Sequence, residues 1–247
     1  MLTKTDGLVI RENTVGEQDR MITILTRDLG LIRAYANGSR SPKNKYVSST
    51  SLLCYSDFAI VQNKNGFFSI REAQVKEVFF SIREDIVKLA LAQYIAQVSE
   101  ELAPREENCD EFLRVVLNTI YSISEGKKNK SQLKAAAELR LASLSGYMPN
   151  IVACENCGAF DTPKMYFSPF SGSLWCENCK PQERTVEVTS SVVAAMRHIC
   201  FCEISKLFSF RLSDEALETL CAVCEKYIKS ISTKHFATLD FYKSMTE

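Results

Sequence analysis

Apolar and polar positions along the chain follow two different periods. Through the first eighty residues they come as short β-branched or alternating runs bounded by turn residues. Gly7-Leu8-Val9-Ile10-Arg11 is the first run and Arg20-Met21-Ile22-Thr23-Ile24-Leu25-Thr26 the second. Asp28-Leu29-Gly30 then interrupts the chain before Leu31-Ile32-Arg33-Ala34-Tyr35-Ala36, a spacing that predicts a hairpin. Residues 52–61 and 67–75 supply a fourth and a fifth strand. Between them Asn63-Lys64-Asn65-Gly66 carries an Asn-Gly turn signal at its end. Five short strands in this length suit a small closed barrel, and propensity alone does not separate an OB-type barrel from an SH3-like one.

From about Ile82 the period becomes helical. Ile86, Leu89, Ala90, Gln93, Tyr94 and Gln97 share one face, and Pro104 stops the helix. Asp110 is placed to cap the next helix, whose stripe is Phe112, Leu113, Val116, Leu117 and Ile120. Residues 133–144 read as a helix ending at Ser145-Gly146. Residues 149–181 are rich in Cys, Gly, Pro and aromatics and have no helical period. Helices resume over 190–202 and 213–231. The expected class is a multidomain α+β protein, with a β-barrel at 1–80 and a helical domain at 81–247. A Cys-rich module at 150–182 is inserted among the helices.

Composition narrows the function classes. Of 247 residues, 46% are apolar and 24% charged, which is ordinary for a folded chain. Lys and Arg total 30 and so do Asp and Glu, so nucleic acid could be held only by a local patch. No run approaches the roughly 20 apolar residues of a bilayer span, and the first residues lack the pattern of a signal peptide. The expected compartment is the cytoplasm, where ten cysteines are read as metal ligands or buried thiols rather than disulfides.

The cysteine spacing carries the sharpest chemistry. Cys154-Glu155-Asn156-Cys157 and Cys176-Glu177-Asn178-Cys179 are two C-x2-C knuckles, spaced as in a zinc site. Four thiolates fill a zinc tetrahedron and leave no position open for water or substrate, so one structural Zn2+ is expected. Gly158 follows the first knuckle, where a left-handed backbone closes the turn. The aromatic segment from Tyr166 to Trp175 reads as a hairpin packing around the metal. The pattern of a zinc deaminase is absent: Trp175, not proline, precedes Cys176, and neither His198 nor His235 has a glutamate two residues on. Cys221 and Cys224 lie within a helical pattern, where they pack as small apolar groups. No phosphate-loop, dinucleotide or nucleophile-elbow motif occurs, so no enzyme activity is expected.

Positive charge is uneven. Between Asp28 and Asp57 there is no acidic residue, and Arg33, Arg40, Lys43 and Lys45 fall in that gap. Tyr35 and Tyr46 are candidate stacking platforms beside them. Lys127, Lys128 and Lys130 form a second basic cluster.

These motifs together resemble the bacterial recombination and repair mediator family RecO. The N-terminal resemblance is carried by Gly7-Leu8-Val9-Ile10, by Gly16-Glu17-Gln18-Asp19-Arg20 and by Leu25 to Leu31. Gly38-Ser39-Arg40-Ser41-Pro42-Lys43 is similar to the family's basic loop. Glu138-Leu139-Arg140-Leu141, running through Gly146-Tyr147-Met148-Pro149 into Cys154, looks like its helix leading to the cysteine module. Thr233 to Tyr242 resembles its C-terminus. The resemblance implies an N-terminal OB-fold barrel, a helical domain with a zinc module, and no catalytic site. It implies binding of single- and double-stranded DNA and annealing of complementary strands. It further implies work with RecR, and with RecF, to load RecA on strands coated by single-strand DNA-binding protein. Arg40 and Lys43 match the loop implicated in DNA contact, and Arg140 matches an arginine whose role is DNA contact or an interdomain ion pair. The competing reading is a zinc-ribbon adaptor of RNA or the transcription machinery.

Overall fold

The computed structural model describes residues 2–41, 44–64, 66–105, 107–160, 162–182 and 184–246. The chain forms two compact units, residues 1–125 with 236–247, and residues 126–235.

In the first unit the period-two runs become five strands. These are β1 (Leu2–Val15), β2 (Asp19–Thr26), β3 (Gly30–Ala36), β4 (Cys54–Gln62) and β5 (Phe68–Val78). On β3 the pleat sends Ile32, Ala34 and Ala36 inward and leaves Arg33 exposed. β2 and β3 form the expected hairpin, in register Met21↔Tyr35 and Thr23↔Arg33. β1 pairs antiparallel with both β2 and β4, and β5 pairs antiparallel with β4. A short parallel contact, Ala34↔Phe68 and Tyr35↔Ser69, joins β3 to β5. Each strand thus has two partners and the hydrogen-bonded circuit closes. Val9, Ile22, Ile24, Ile32, Phe58, Ile60 and Ile70 are among the residues that fill its interior. β1 is much longer than its apolar run because Leu2–Leu8 pair with β4 and Gly7–Val15 with β2.

Among the described residues four helices complete this unit: α1 (Phe80–Arg83), α2 (Ile86–Leu102), α3 (Asp110–Glu125) and α7 (Ala237–Ser244). Asp85 caps α2, accepting from the N–H groups of Val87 and Lys88. Asp110 does not cap α3 as the sequence reading expects. It is the first helical residue, its N–H donates to Asn108 Oδ1 at 3.2 Å, and its carboxylate pairs with Arg27. Arg27 also holds Asp6 in a two-point ion pair, at 2.7 and 2.9 Å. α7 packs on α2, with Phe236 edge-on against Tyr94 at 5.8 Å. Its eight residues are too few to show a helical period in the sequence.

The second unit is built on α4 (Lys130–Leu144), in which every residue from Leu133 to Ser143 is buried. Around it lie α5 (Ser190–Phe201) and α6 (Asp214–Ile231), capped by Thr189 and Ser213. Burial reaches two charged residues of α4: Lys134 Nζ lies 2.8 Å from Glu138 and 3.2 Å from Glu225 of α6. The cysteine module contributes β6 (Met165–Ser168), β7 (Ser173–Cys176) and β8 (Val186–Val188), in the order β7-β6-β8. Its β6–β7 hairpin is the expected one, in register Tyr166↔Trp175. Among the described residues, no helix is long and apolar enough to cross a membrane.

Candidate metal centre and candidate nucleic-acid interface

The two knuckles arise from different local structures. In the first, Cys154 N–H donates to Ala159 O at 2.8 Å and Gly158 N–H to Cys154 O at 2.9 Å. Gly158 takes φ +71°, the left-handed backbone this turn requires. In the second, β7 ends in Cys176 and a short 3-10 turn over Glu177–Cys179 brings Cys179 back.

All four Sγ atoms lie within 4.8 Å of one another, and those of Cys157 and Cys176 are 3.6 Å apart. A tetrahedral site with bonds of about 2.3 Å has S···S edges of roughly 3.8 Å, so the cluster can hold one metal ion. Asn156 Nδ2 donates to Cys179 Sγ at 3.3 Å, a contact that steadies a charged sulfur. Burial works against ionisation of Cys154, but the N–H groups of Cys157, Cys176 and Asn156 outweigh it and hold that thiol below its ordinary range. The hairpin aromatics are shared out. Lys180 stands 4.1 Å over the Tyr166 ring, whereas Phe167 packs edge-on against Tyr227 of α6.

The other thiols have the opposite character. Cys224 is buried on α6, and Cys221 donates to Ser131 O. Burial pushes the Cys221 thiol up to about 11 and Cys224 up as well, away from the low pKa of a redox thiolate.

The basic candidates separate by place. Arg40 is exposed, and its guanidinium donates to Glu17 O at 3.0 Å. Gly38 N–H donates to Asp19 Oδ1 at 2.6 Å, so this loop is pinned to the β1–β2 turn. Lys43 lies outside the described residues. Lys45 is exposed, 4.9 Å over the Tyr46 ring, and the Tyr46 hydroxyl is engaged with Arg71 O at 2.8 Å. Lys127 and Lys128 are exposed and Lys130 half-buried ahead of and at the start of α4. Arg140 must be corrected. It is buried, and its guanidinium donates to the carbonyls of Ile199 and Cys200, where it satisfies the end of α5. A charge committed inside the helical packing is not presented to a phosphate.

Arg33 and Tyr35 belong to a strip that local patterning does not reveal. Phe67, 55% exposed, meets Tyr35 edge-on with ring centroids 6.4 Å apart. Phe67 sits in a turn, and only the parallel β3–β5 register brings it to Tyr35. Arg33 lies two residues before Tyr35, on the outward side of the pleat, and Arg71, two after Tyr35's partner Ser69, is exposed at the bulge where β5 loses register with β4. Arg33 has a side chain 68% exposed and, among the described residues, makes a long 3.7 Å approach to Glu100. Aromatic faces flanked by cations are the elements that hold single strands without regard to sequence. The neighbouring groove of about 690 Å³ along β1, β4 and β5 differs in charge. It sets Asp6, Asp28, Asp57 and Glu72 against Lys4 and Lys45, which is unsuited to phosphate.

The chain matches known proteins over nearly its whole length. Residues 1–79 match the recombination protein O N-terminal family and residues 83–239 the recombination protein O C-terminal family. A protein from Acetivibrio thermocellus named DNA repair protein RecO is 32% identical over 98% of this chain and 96% of its own length. A protein of the same name from Dehalococcoides mccartyi is 29% identical over 88% of this chain and 85% of its own. One from Alkaliphilus metalliredigens is 24% identical, over 99% of this chain and 100% of its own. With both parts of the family matched in order and a relative this similar over its full length, the chain belongs to the recombination protein O family.

Proposed function

We propose that this protein is a non-enzymatic, DNA-binding recombination mediator of DNA repair. It binds single- and double-stranded DNA and anneals complementary strands. With RecR, and with RecF, it helps load RecA on strands coated by single-strand DNA-binding protein, working in the cytoplasm at the nucleoid. The closed strand circuit is read as an OB-type barrel, with 1–80 as the DNA-binding domain and 81–247 as a helical domain around one structural Zn2+. When bound, the zinc supplies a cross-link between the two knuckles, and Cys154, Cys157, Cys176 and Cys179 hold it.

The observation that carries this reading is the Arg33–Tyr35–Phe67–Arg71 strip. Its aromatic pair offers stacking surfaces, and the exposed Arg33 and Arg71 flank them. Arg40, Lys43 and Lys45 extend the basic contacts, and Lys127, Lys128 and Lys130 add a second cluster. Contact of this kind is sequence-independent and salt-sensitive. Neutralising phosphates on two strands lowers their repulsion, which favours pairing.

The test is annealing of two labelled complementary oligonucleotides followed by energy transfer, bare and coated with single-strand DNA-binding protein, across a salt series. Acceleration on coated strands is the expected result. Absence of acceleration on bare and coated strands at low salt, with RNA competing as well as DNA, would instead favour the adaptor reading.

A further inference from the structure

The tip of the cysteine-module hairpin and the outer side of α6 enclose a separate cavity of about 330 Å³. Pro169, Phe170, Val186, Arg184, Lys226 and Lys229 line it, and none of the described lining residues is acidic. Phe170 is 70% exposed, so its ring is not serving the core. Its position is nevertheless fixed. Ser230 Oγ donates to Pro169 O at 2.5 Å, and Phe167 packs on Tyr227 at 5.7 Å. The hairpin tip is therefore anchored to the same helix that carries Lys226 and Lys229, which share one helical face at i and i+3. Lys229 is shared with Glu225 at 2.9 Å but stays 47% exposed. Arg184 and Lys226 are exposed, and neither forms an ion pair with a described residue.

We propose that this cavity is a second single-strand DNA site. One base stacks on Phe170, and adjacent phosphates lie against Arg184, Lys226 and Lys229. The inference rests on the reading of the protein as a strand-annealing DNA binder and adds the grip for the second strand. A peptide side chain would call for a closed apolar slot. Phe170 instead leaves most of its ring open, as a stacking platform does. The combination of an open aromatic with exposed cations repeats that of the strand unit, and pairing two strands requires phosphate neutralisation on both.

The experiment uses the full chain and a short labelled oligothymidylate at low salt, followed by anisotropy to stoichiometry, with annealing rates measured alongside. The wild-type protein takes up two strands per chain. Phe170→Ala weakens the second by roughly tenfold, the scale of one base–aromatic stack. Arg184→Gln with Lys226→Gln removes the second strand and slows annealing, while the first strand keeps its affinity. Unchanged melting and metal content show that these surface variants fold. Two strands per chain and an unaltered annealing rate in both variants would overturn the site. So would one strand per wild-type chain with annealing intact, which leaves the proposed function standing. Uptake of no strand by the wild-type protein would overturn both. Displacement by an acidic peptide ending in an aromatic residue, lost in the variants while strand stoichiometry is unchanged, would make the cavity a protein-docking site and overturn its assignment to DNA.

Discussion

Gly172 crosses the ring of Tyr227 so closely that a Cβ at Gly172 would lie 3.1 Å from the phenolic oxygen and 3.2 Å from a ring carbon. Gly172 also has φ +66°, where an L side chain is strained. A side chain at this turn would be strained by its backbone and would press on the Tyr227 ring of α6. Gly172→Ala is expected to destabilise the protein by about 1–2 kcal/mol from the backbone alone, with the contact adding to it. The midpoint and slope of urea unfolding measure this.

The metal cluster gives a larger effect. The purified protein is expected to carry one zinc per chain by elemental analysis. Cys154→Ser or Cys176→Ser loses the metal and lowers the melting temperature. Structural zinc sites contribute on the order of 10 kcal/mol to small modules, so the shift is large. A metal-free wild-type protein that melts together with both variants would remove the zinc assignment.

These contacts show where the sequence was legible and where it was not. The hairpin of β2 and β3, the knuckles with Gly158, and the helices α2, α4, α5 and α6 rest on local periods and turn residues, and they are found where expected. The misses are long-range. Phe67 reaches Tyr35 through parallel pairing, which leaves no local signature. α7 is helical because Phe236 and Thr238 dock on Tyr94 and Gln97 of α2. Arg140 has the composition of a surface charge, and only the packing of α5 against α4 draws it inside. Asp110 was taken from the capping role by Arg27, a partner 83 residues away.

The Arg27–Asp6 pair sets a pH dependence. The hydrogen bond from Arg27 holds the Asp6 carboxyl at about 2 instead of 3.8, against the opposing effect of burial, with Tyr55 and Lys76 assisting. A carboxylate whose folded pKa is depressed stabilises the protein fully above its unfolded value. That contribution is therefore lost as pH falls from about 3.8 to about 2. Arg27→Ala is expected to lower the urea midpoint at neutral pH and to flatten its decline through this window. Parallel curves for variant and wild type would show that the pair contributes nothing.

Lys134 sits between Glu138 and Glu225 in the packing of α4 against α6. Its ammonium is stabilised by both carboxylates, which outweigh desolvation as the cost of burial. Lys134→Met takes the ammonium away from the fully buried Glu138 and is expected to cost about 3–5 kcal/mol. Adding Glu138→Leu removes the stranded carboxyl and recovers part of that loss. Urea unfolding of the single and double variants provides the comparison.

The most direct measurement is single-strand affinity across a salt series for three proteins: wild type, Tyr35→Ala with Phe67→Ala, and Arg33→Ala with Arg71→Ala. If the strip grips DNA, loss of the two aromatics weakens binding by tenfold or more, as about 1–3 kcal/mol per stacked base requires, and leaves the salt slope unchanged. Loss of the two arginines flattens the slope by roughly 1.4, about 0.7 for each phosphate contact removed. Wild-type affinity and slope in both variants would contradict the assignment of DNA binding to this face.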